Sequence, residues 1–201
     1  MELYTAMKTR RSRYDLTNKS TISDERIKEV LKDAINYTPS AFNSQSSRVL
    51  LLLGDRHKKL WDITADTLRK IVPADAFAST QSKLDGFAGA YGTILFFEDM
   101  SVVEGLQEKF ALYADNFPIW SNQSAGMLQY SVWTSLANEG LGANLQHYNP
   151  LIDETVLKEF NLPSTWRLMA QMPFGVATGE VGEAVYQPID ERFFTQGEGK
   201  Q

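Results

Sequence analysis

The stretch VLLLLG, residues 49–54, is a short continuous apolar run that ends at a glycine. A run of this kind is typical of a β-strand that is buried on both faces of a sheet. Such a strand needs helices against it, and apolar spacing predicts two that follow in the chain, over residues 57–71 and residues 77–87. The stretch therefore predicts a sheet covered by helices.

Further elements are predicted on both sides of this strand. Before it, Leu3 and Met7 fit a short helix over residues 2–8, and a longer helix begins after the capping residue Ser23 and ends near Tyr37. After it come strands at residues 93–97, 143–146 and 168–172, and helices at residues 122–138 and 154–160, the second capped by Asp153. No element is predicted between residues 97 and 122. Because strands and helices are interspersed without strict β-α-β alternation, we expect an α+β fold with a mixed sheet flanked by helices.

Length and composition predict one domain. The chain has 201 residues, of which 43% are hydrophobic and 22% charged, so residues 1–201 suffice for one sizeable core. Residues 176–201 are Gly-rich, polar and extended, and turn apolar at Phe193 and Phe194. We expect this C-terminal tail to pack on something else, for example a second subunit.

Several classes of function are disfavoured. The chain has no cysteine, and its two histidines lie far apart without carboxylates at metal-ligand spacing, so neither a thiolate nucleophile nor a metal site is expected. A formal net charge of −5 argues against a broad nucleic-acid surface. No apolar run reaches the roughly 20 residues that span a bilayer, and no signal-peptide pattern is seen, so a cytoplasmic protein without membrane contact is expected. The sequence also lacks a Gly-x-Ser-x-Gly elbow, a Walker loop and a complete dinucleotide loop.

The motif TRRSRY, residues 9–14, places three arginines around one serine in this acidic chain. Guanidinium groups bind phosphate oxygens bidentately and a serine hydroxyl adds a neutral hydrogen bond, so a phosphate is the candidate ligand. The alternative is a set of solvated arginines that complement the dipole of a helix end.

A polar loop at residues 40–47 adds the amide side chains of Asn43 and Gln45. Such amides donate and accept together, which suits the edge of a heterocycle or a sugar chain. The alternative is a turn in which Asn43 bonds its own backbone. A cofactor that brings its own reactive centre needs only anchoring, orientation and an apolar wall.

Four segments, in the right order, resemble the flavin (FMN)-dependent nitroreductase family, and within it the short branch of nitroreductase-like proteins of bacteria and fungi. They are TRRSRY at residues 9–14, TPSAFNSQSSRVLLL at 38–52, LANEGLGANLQHYNP at 136–150 and MPFGVATGE at 172–180. In turn they are similar to the family's Arg-Arg-Ser signature, its Pro-Ser-x-x-Asn-x-Gln loop, its Gly-Leu-Gly turn with the flavin-edge strand, and its closing strand. Ser46 and Ser47 stand where longer members often have Pro-Trp.

The resemblance implies an intertwined homodimer that binds FMN at two identical sites, each touched by both chains. It assigns three groups of residues to the cofactor: Arg10, Arg11 and Ser12 for the phosphate and ribityl chain, with Arg192 as a C-terminal basic residue; Pro39, Ser40, Asn43 and Gln45 for the flavin, from the other subunit; and Gln146 and His147 along the flavin ring. No protein side chain is expected to be catalytic, because flavin N5 carries the chemistry.

The implied activity is that of an NAD(P)H oxidoreductase that reduces nitroaromatic or quinone-type acceptors by two-step, ping-pong hydride transfer. NADH or NADPH and small electron-poor aromatic molecules would be its partners, and an acceptor wall would be formed by Phe42, Phe117, Trp120 and Tyr148. Three alternatives stay open: a flavin-binding sensing or storage module without significant turnover, a non-flavin anion-binding domain, and reductive chemistry on one dedicated substrate.

Overall fold

The computed structural model describes residues 2–197, which contain seven α-helices and four β-strands. The strands are β1 (Ser47–Leu53), β2 (Gly92–Asp99), β3 (Gly142–Ala143) and β4 (Trp166–Gly175). The helices are α1 (Leu3–Thr9), α2 (Asp24–Tyr37), α3 (Gly54–Leu68), α4 (Phe77–Ala88), α5 (Met100–Lys109), α6 (Phe117–Asn138) and α7 (Asp153–Glu159). The strands form one antiparallel sheet in the order β1-β2-β4-β3.

Helices cover both faces of this sheet. Successive side chains of a strand point to opposite faces, and β2 shows this alternation clearly. Ile94 and Phe96 pack with α2 and α6 on one face, whereas Leu95 and Phe97 pack with α3, α4 and α7 on the other. All four side chains are at most 1% exposed, so β2 is a strand buried on both faces. The expected combination of a sheet with flanking helices is confirmed, but the expectation of a mixed sheet is wrong, because all pairings between the four strands are antiparallel.

The strand predicted at residues 49–54 exists, but the predicted burial on both faces is wrong. β1 lies at an edge of the sheet, and of its seven residues only Leu52 is buried while the others are half-buried. An edge strand has a neighbouring strand on one side only, so its side chains are covered less completely than those of β2. An apolar run alone does not distinguish the two positions.

Several predicted boundaries also differ from the structure. α5 lies where no element is predicted, and α6 begins at Phe117 rather than at residue 122. The strand predicted at residues 143–146 is reduced to Gly142–Ala143, followed by a single bridge between Gln146 and Gln171.

One of the two predicted helix caps is confirmed. The hydroxyl oxygen of Ser23 accepts a hydrogen bond from the backbone N–H of Arg26 at 3.2 Å. Asp153, in contrast, is the first residue of α7, and its Oδ1 is buried without a hydrogen-bond partner among the described residues. The chain enters α7 through Ile152 in a helical conformation, whereas a capping side chain needs an extended backbone at its own position.

Residues 176–197 have little regular structure apart from a 3-10 turn at Ile189–Glu191. Apolar side chains of this segment are exposed: Val185 is 96% and Phe194 is 78% exposed. Residues 198–201 of the predicted tail lie outside the described residues. Within residues 2–197, no helix is both long and apolar enough to cross a membrane.

Candidate cofactor-binding site

The segment that carries Arg10, Arg11 and Ser12 runs along the β3 edge of the sheet. α1 ends at Thr9, and Arg10 is already extended. Ser12 then forms a parallel bridge with Ala143, and the backbone N–H of Arg13 donates to the carbonyl oxygen of Ala143 at 2.9 Å. Backbone pairing therefore fixes two of the four predicted segments, residues 9–14 and residues 136–150, next to one another at β3.

Arg10 is held against Trp133 of α6. The guanidinium carbon of Arg10 lies 4.5 Å from the centre of the Trp133 ring, a distance at which the cation is attracted to the ring face. Arg10 Nε and Trp133 Nε1 are both buried and lack a hydrogen-bond partner among the described residues. A buried donor without an acceptor is costly, so each of these N–H groups suits an anionic or polar acceptor.

A cavity of about 140 Å³ lies beside this pair. It is lined by Arg11, Arg13 and Trp133, together with the turn at residues 140–142. Gly142 packs so closely that an added Cβ would lie 2.9 Å from the Cβ of Ala177. Arg11 thus reaches the same small space that Trp133 borders, while Arg10 packs on the Trp133 ring.

Arg13, the third arginine of the motif, has a different partner. Its Nε and Nη2 donate to the two carboxylate oxygens of Asp15 at 3.1 and 2.8 Å. Arg13 also donates to the carbonyl oxygen of Gly179, and the N–H of Gly179 donates to Asp15. The hydrogen-bonded Arg13 guanidinium holds the pKa of Asp15 well below its usual range. Arg13 therefore ties the N-terminal segment to the start of the tail, and its charge is neutralised there.

The loop that carries Pro39, Ser40, Asn43 and Gln45 connects α2 to β1. Ser40 closes it internally, because its hydroxyl oxygen accepts from the N–H of Gln45 at 3.0 Å. Phe42, Asn43 and Gln45 have φ angles of 56°, 50° and 48°, a left-handed conformation that is uncommon for residues other than glycine. Both amide side chains are exposed, so the loop presents them at the surface.

The structure does not bring this loop and the arginines into one cavity within a single chain. Pro39, Ser40 and Gln45 border a cavity of about 60 Å³ whose other walls come from α2, β1 and α6. Arg11 borders the separate cavity beside the β3 edge. The two predicted halves of the site are therefore distinct surfaces of the chain.

Gln146 and His147 differ in accessibility. The Gln146 side chain is buried and donates to Oδ1 of Asn144 at 2.8 Å, and Asn144 donates to the carbonyl oxygen of Arg13 at 2.6 Å. His147 is exposed. The Gln146 side chain is thus committed to a buried network under the arginine segment, and only its neighbour is presented to solvent.

Arg192 lies in the exposed tail, directly after the acidic residues Asp190 and Glu191. Its backbone N–H donates to the carbonyl oxygen of Ile189 at 2.9 Å. Its guanidinium makes no ion pair within residues 2–197.

A cluster of aromatic rings surrounds Phe42. The ring of Phe42 is stacked on Trp120 at a centroid distance of 5.7 Å and lies 5.2 Å from Phe117. Two further rings, Phe110 and Tyr113, lie 5.1 and 5.8 Å from it. Half of Phe42 is exposed, so the cluster presents an aromatic surface next to the amide loop.

Tyr148, in contrast, does not join this cluster within one chain. Its ring packs edge-on against Trp61, and it is partly buried with the core on the opposite side of the sheet.

His57 is a buried core residue whose two ring nitrogens both have hydrogen-bond partners. It is buried, with Nδ1 2.9 Å from the Thr93 hydroxyl and Nε2 3.1 Å from the carbonyl oxygen of Ala88. Burial lowers its pKa. In the part of the chain that the structure describes, no group of three or more His, Asp or Glu side chains is arranged to hold a metal ion.

The sequence model of the nitroreductase family matches residues 7–176. The chain belongs to this family. The matched range contains the arginine segment, the amide loop and the β3 edge, and it ends where the exposed tail begins. Membership makes the chain, broadly, an oxidoreductase of the nitroreductase type.

Relatives of known description agree with this nitroreductase assignment. The chain is 36% identical over 152 residues to the nitroreductase FRM2 of Saccharomyces cerevisiae, which covers 76% of this chain and 75% of FRM2. It is 47% identical to the nitroreductase CinD of Lactococcus lactis, whose structure in complex with chloramphenicol superposes with a TM-score of 0.89 over 98% of this chain and 100% of CinD. CinD has also been solved with 4-nitrophenol.

A more distant nitroreductase-like fold comes from Desulfovibrio desulfuricans. That protein was solved in complex with FMN and superposes with a TM-score of 0.71 over 99% of both chains. At 21% identity it shows a shared fold alone.

Two residues near the candidate site are not found from the sequence, namely Trp133, which packs on Arg10, and Glu98, which binds the end of the amide loop. Trp133 lies within a helix that is apolar on most sides, where a tryptophan is expected in the core. Glu98 is the penultimate residue of strand β2 and is completely buried. The only sequence signal for Glu98 is an acidic residue directly after an apolar run, which is equally typical of a strand that reaches the surface.

Proposed function

We propose that this chain is an FMN-dependent NAD(P)H oxidoreductase that reduces nitroaromatic or quinone-type acceptors in two half-reactions. The observation that carries the proposal is the pair of buried, unpartnered donors Arg10 Nε and Trp133 Nε1 next to Arg11 and Ser12. These groups fit the phosphate of FMN, because charged donors to phosphate form short, strong hydrogen bonds. Arg192 would add a basic group from the tail.

The proposal includes a homodimer. The amide loop and the arginine segment border separate cavities of one chain, so a second copy would have to bring Pro39, Ser40, Asn43 and Gln45 over the cofactor bound by the first. The exposed apolar residues of the tail, such as Phe194, support a protein contact there. His147 and the backbone of Gln146 would lie along the flavin ring. A cytoplasmic location remains part of the proposal.

When bound, FMN would supply the hydride-accepting centre that takes electrons from NADH or NADPH and passes them to the acceptor. The chain's own residues would bind and orient the cofactor and the acceptor, and would exclude water from the site. The exposed rings around Phe42 would form one wall for a flat aromatic acceptor, since aromatic pairs favour stacked and tilted contacts at these distances. The chloramphenicol and 4-nitrophenol complexes of CinD support this substrate class.

The first experiment is an absorption spectrum of the purified protein, repeated without air after NADH or NADPH is added. We expect flavin bands that bleach with at least one of the two nucleotides. Bands that persist would favour the sensing or storage module. A protein that neither copurifies with FMN nor binds added FMN would overturn the proposal.

The phosphate assignment is tested by Arg10→Ala, with Arg69→Ala as the control. Arg69 is an exposed arginine paired with Asp66 on the surface of α3. Loss of a charged hydrogen bond to the phosphate should weaken FMN binding by about 1.5 to 3 kcal/mol, or roughly 10- to 150-fold in Kd, by titration of the apoprotein. An Arg10→Ala protein that binds FMN as tightly as Arg69→Ala would remove Arg10 from the site.

A further inference from the structure

Glu98 is a fully buried carboxylate whose hydrogen bonds all come from serine hydroxyls. Its Oε2 accepts from Ser46 at 2.5 Å and from Ser121 at 2.9 Å, and its Oε1 accepts from Ser47. Glu98 is 0% exposed, and no ion pair is formed by it within residues 2–197. Burial of a carboxyl group away from water is costly, so its presence at this position points to a function that an apolar residue would not supply.

The three serines belong to two different parts of the fold. Ser121 lies in the second turn of α6. Ser46 and Ser47 end the amide loop and begin β1. Glu98 therefore joins the end of the loop both to β2 and to the central helix.

A second restraint acts on the same loop end through the neighbouring residue of β2. The N–H of Asp99 donates to the carbonyl oxygen of Ser46 at 2.9 Å, and the Asp99 carboxylate binds Arg48 at 3.0 Å. Arg48 in turn donates to the carbonyl oxygen of Gln45 at 2.7 Å. Two consecutive residues of a rigid strand thus hold the last three residues of the loop.

The loop needs such restraints because its backbone is uncommon. Phe42, Asn43 and Gln45 all have positive φ, and a bulky residue such as Phe42 in this region persists only where the surroundings determine it. The internal bond from Gln45 to Ser40 closes the loop but does not attach it to the body of the protein. Attachment comes from the serine bonds to Glu98 and from Arg48 at the end of the loop, and from the Phe42 ring, which packs on Phe117 and Trp120 of α6.

We propose that Glu98 is a positioning residue that holds the loop at residues 39–45 in the conformation that contacts the flavin. The contact of this loop with the flavin rests on the proposed function. Glu98 acts through Ser46 and Ser47, and touches neither cofactor nor acceptor. Ser121 anchors the carboxylate from the opposite side.

The test uses amide hydrogen exchange of the full-length apoprotein, read at residues 40–47, in three variants. Glu98→Gln removes the carboxylate, the double variant Ser46→Ala with Ser47→Ala removes the loop's own donors, and Ser121→Ala removes only the α6 donor. We expect the first two to speed exchange of the loop by about tenfold or more, since each loses hydrogen bonds to a charged acceptor. Ser121→Ala should leave loop exchange within about twofold, because both loop serines keep their acceptor.

Two further readouts separate positioning from general stability. FMN Kd should rise by about tenfold in Glu98→Gln and in the double serine variant, whereas Ser121→Ala should lower Tm without raising the FMN Kd. Glu108→Gln, an exposed glutamate in α5, is the control for the loss of one charge. If Glu98→Gln does not fold, the double serine variant decides the outcome.

The outcomes distinguish this proposal from the proposed function. Unchanged loop exchange in the double serine variant, or equal acceleration by Ser121→Ala, would overturn the role of Glu98 whether or not FMN binds. Faster loop exchange with an unchanged FMN Kd would also overturn it, since the loop would then be held but not positioned for the flavin. A wild-type protein that does not bind FMN would overturn the proposed function, while the exchange data would still decide whether Glu98 holds the loop.

Discussion

Removal of the Asp15 carboxylate should break the hydrogen bonds that join the N-terminal segment to the tail, which connect Arg13, Asp15 and Gly179. Asp15→Asn keeps the shape of the side chain but replaces a carboxylate that accepts from Arg13 at 2.8 and 3.1 Å and from the N–H of Gly179. Hydrogen bonds to charged groups contribute roughly 1.5 to 3 kcal/mol when buried, whereas exposed ion pairs contribute about 0 to 1 kcal/mol. The side chains of Arg13 and Asp15 are 18% and 35% exposed, so we expect an intermediate loss of about 1 to 2 kcal/mol.

The assay is thermal and denaturant unfolding of wild type and Asp15→Asn between pH 3 and pH 8. For a chain of this size, 1 kcal/mol corresponds to roughly 2 to 4 °C in Tm, so Tm should fall by about 2 to 8 °C at pH 7. Asp62→Asn is the control, since Asp62 is exposed on α3 and makes no ion pair within residues 2–197.

The pH dependence of the difference between the two proteins has a definite sign. The folded pKa of Asp15 lies below its unfolded value, which is near 3.8, because the Arg13 guanidinium favours the charged form. The unfolded chain therefore binds the proton first as the pH falls, and the contribution of Asp15 is complete above about pH 5 and declines as the pH falls below about 4. A difference in stability that is absent at pH 7, or that grows as the solution is acidified, would refute the assignment.

Two further changes test the buried core and the aromatic surface. Thr93→Val should lower the free energy of unfolding, measured by urea denaturation, by about 2 to 4 kcal/mol. The Thr93 hydroxyl is bonded to both His57 and Trp61, so its loss leaves two buried groups without a partner. A loss below about 0.5 kcal/mol would contradict this. Phe42→Ala removes the ring stacked on Trp120, so it should raise the KM for 4-nitrophenol about tenfold. The rate of flavin reduction by NADH should stay unchanged. Equal effects on both half-reactions would exclude Phe42 from the acceptor wall.

The parts of the fold that the sequence predicts well are those set by local signals. α2 combines a capping serine with an apolar stripe, and both are confirmed in the structure. α5 escapes prediction because it is short and buries a single residue, Val103, so its apolar pattern is weak. The edge position of β1 is also beyond local sequence, because it depends on which strands pair with it over distances of tens of residues.

The same distinction holds for the candidate site. Arg10, Arg11 and Ser12 are adjacent in sequence and form a recognisable motif, so they could be identified directly. The role of Glu98 depends on serines that lie 51 to 52 and 23 residues away, and no spacing rule brings those three positions together. Trp133 is likewise identified only when its unpartnered Nε1 is seen beside Arg10.

The three arginines of the opening motif are equivalent in sequence but not in the fold. Arg13 has a carboxylate partner in Asp15, and its charge is satisfied within the chain. Arg10 and Arg11 form no ion pair within residues 2–197, although the protein has an excess of five negative charges. Arg10 is the more telling of the two, because its Nε is buried and a buried charged donor without an acceptor is unfavourable in the free protein. We therefore expect this acidic chain to bind an external anion at the unpaired donor, and the anion should then stabilise the fold by an amount that rises with the logarithm of its concentration above Kd.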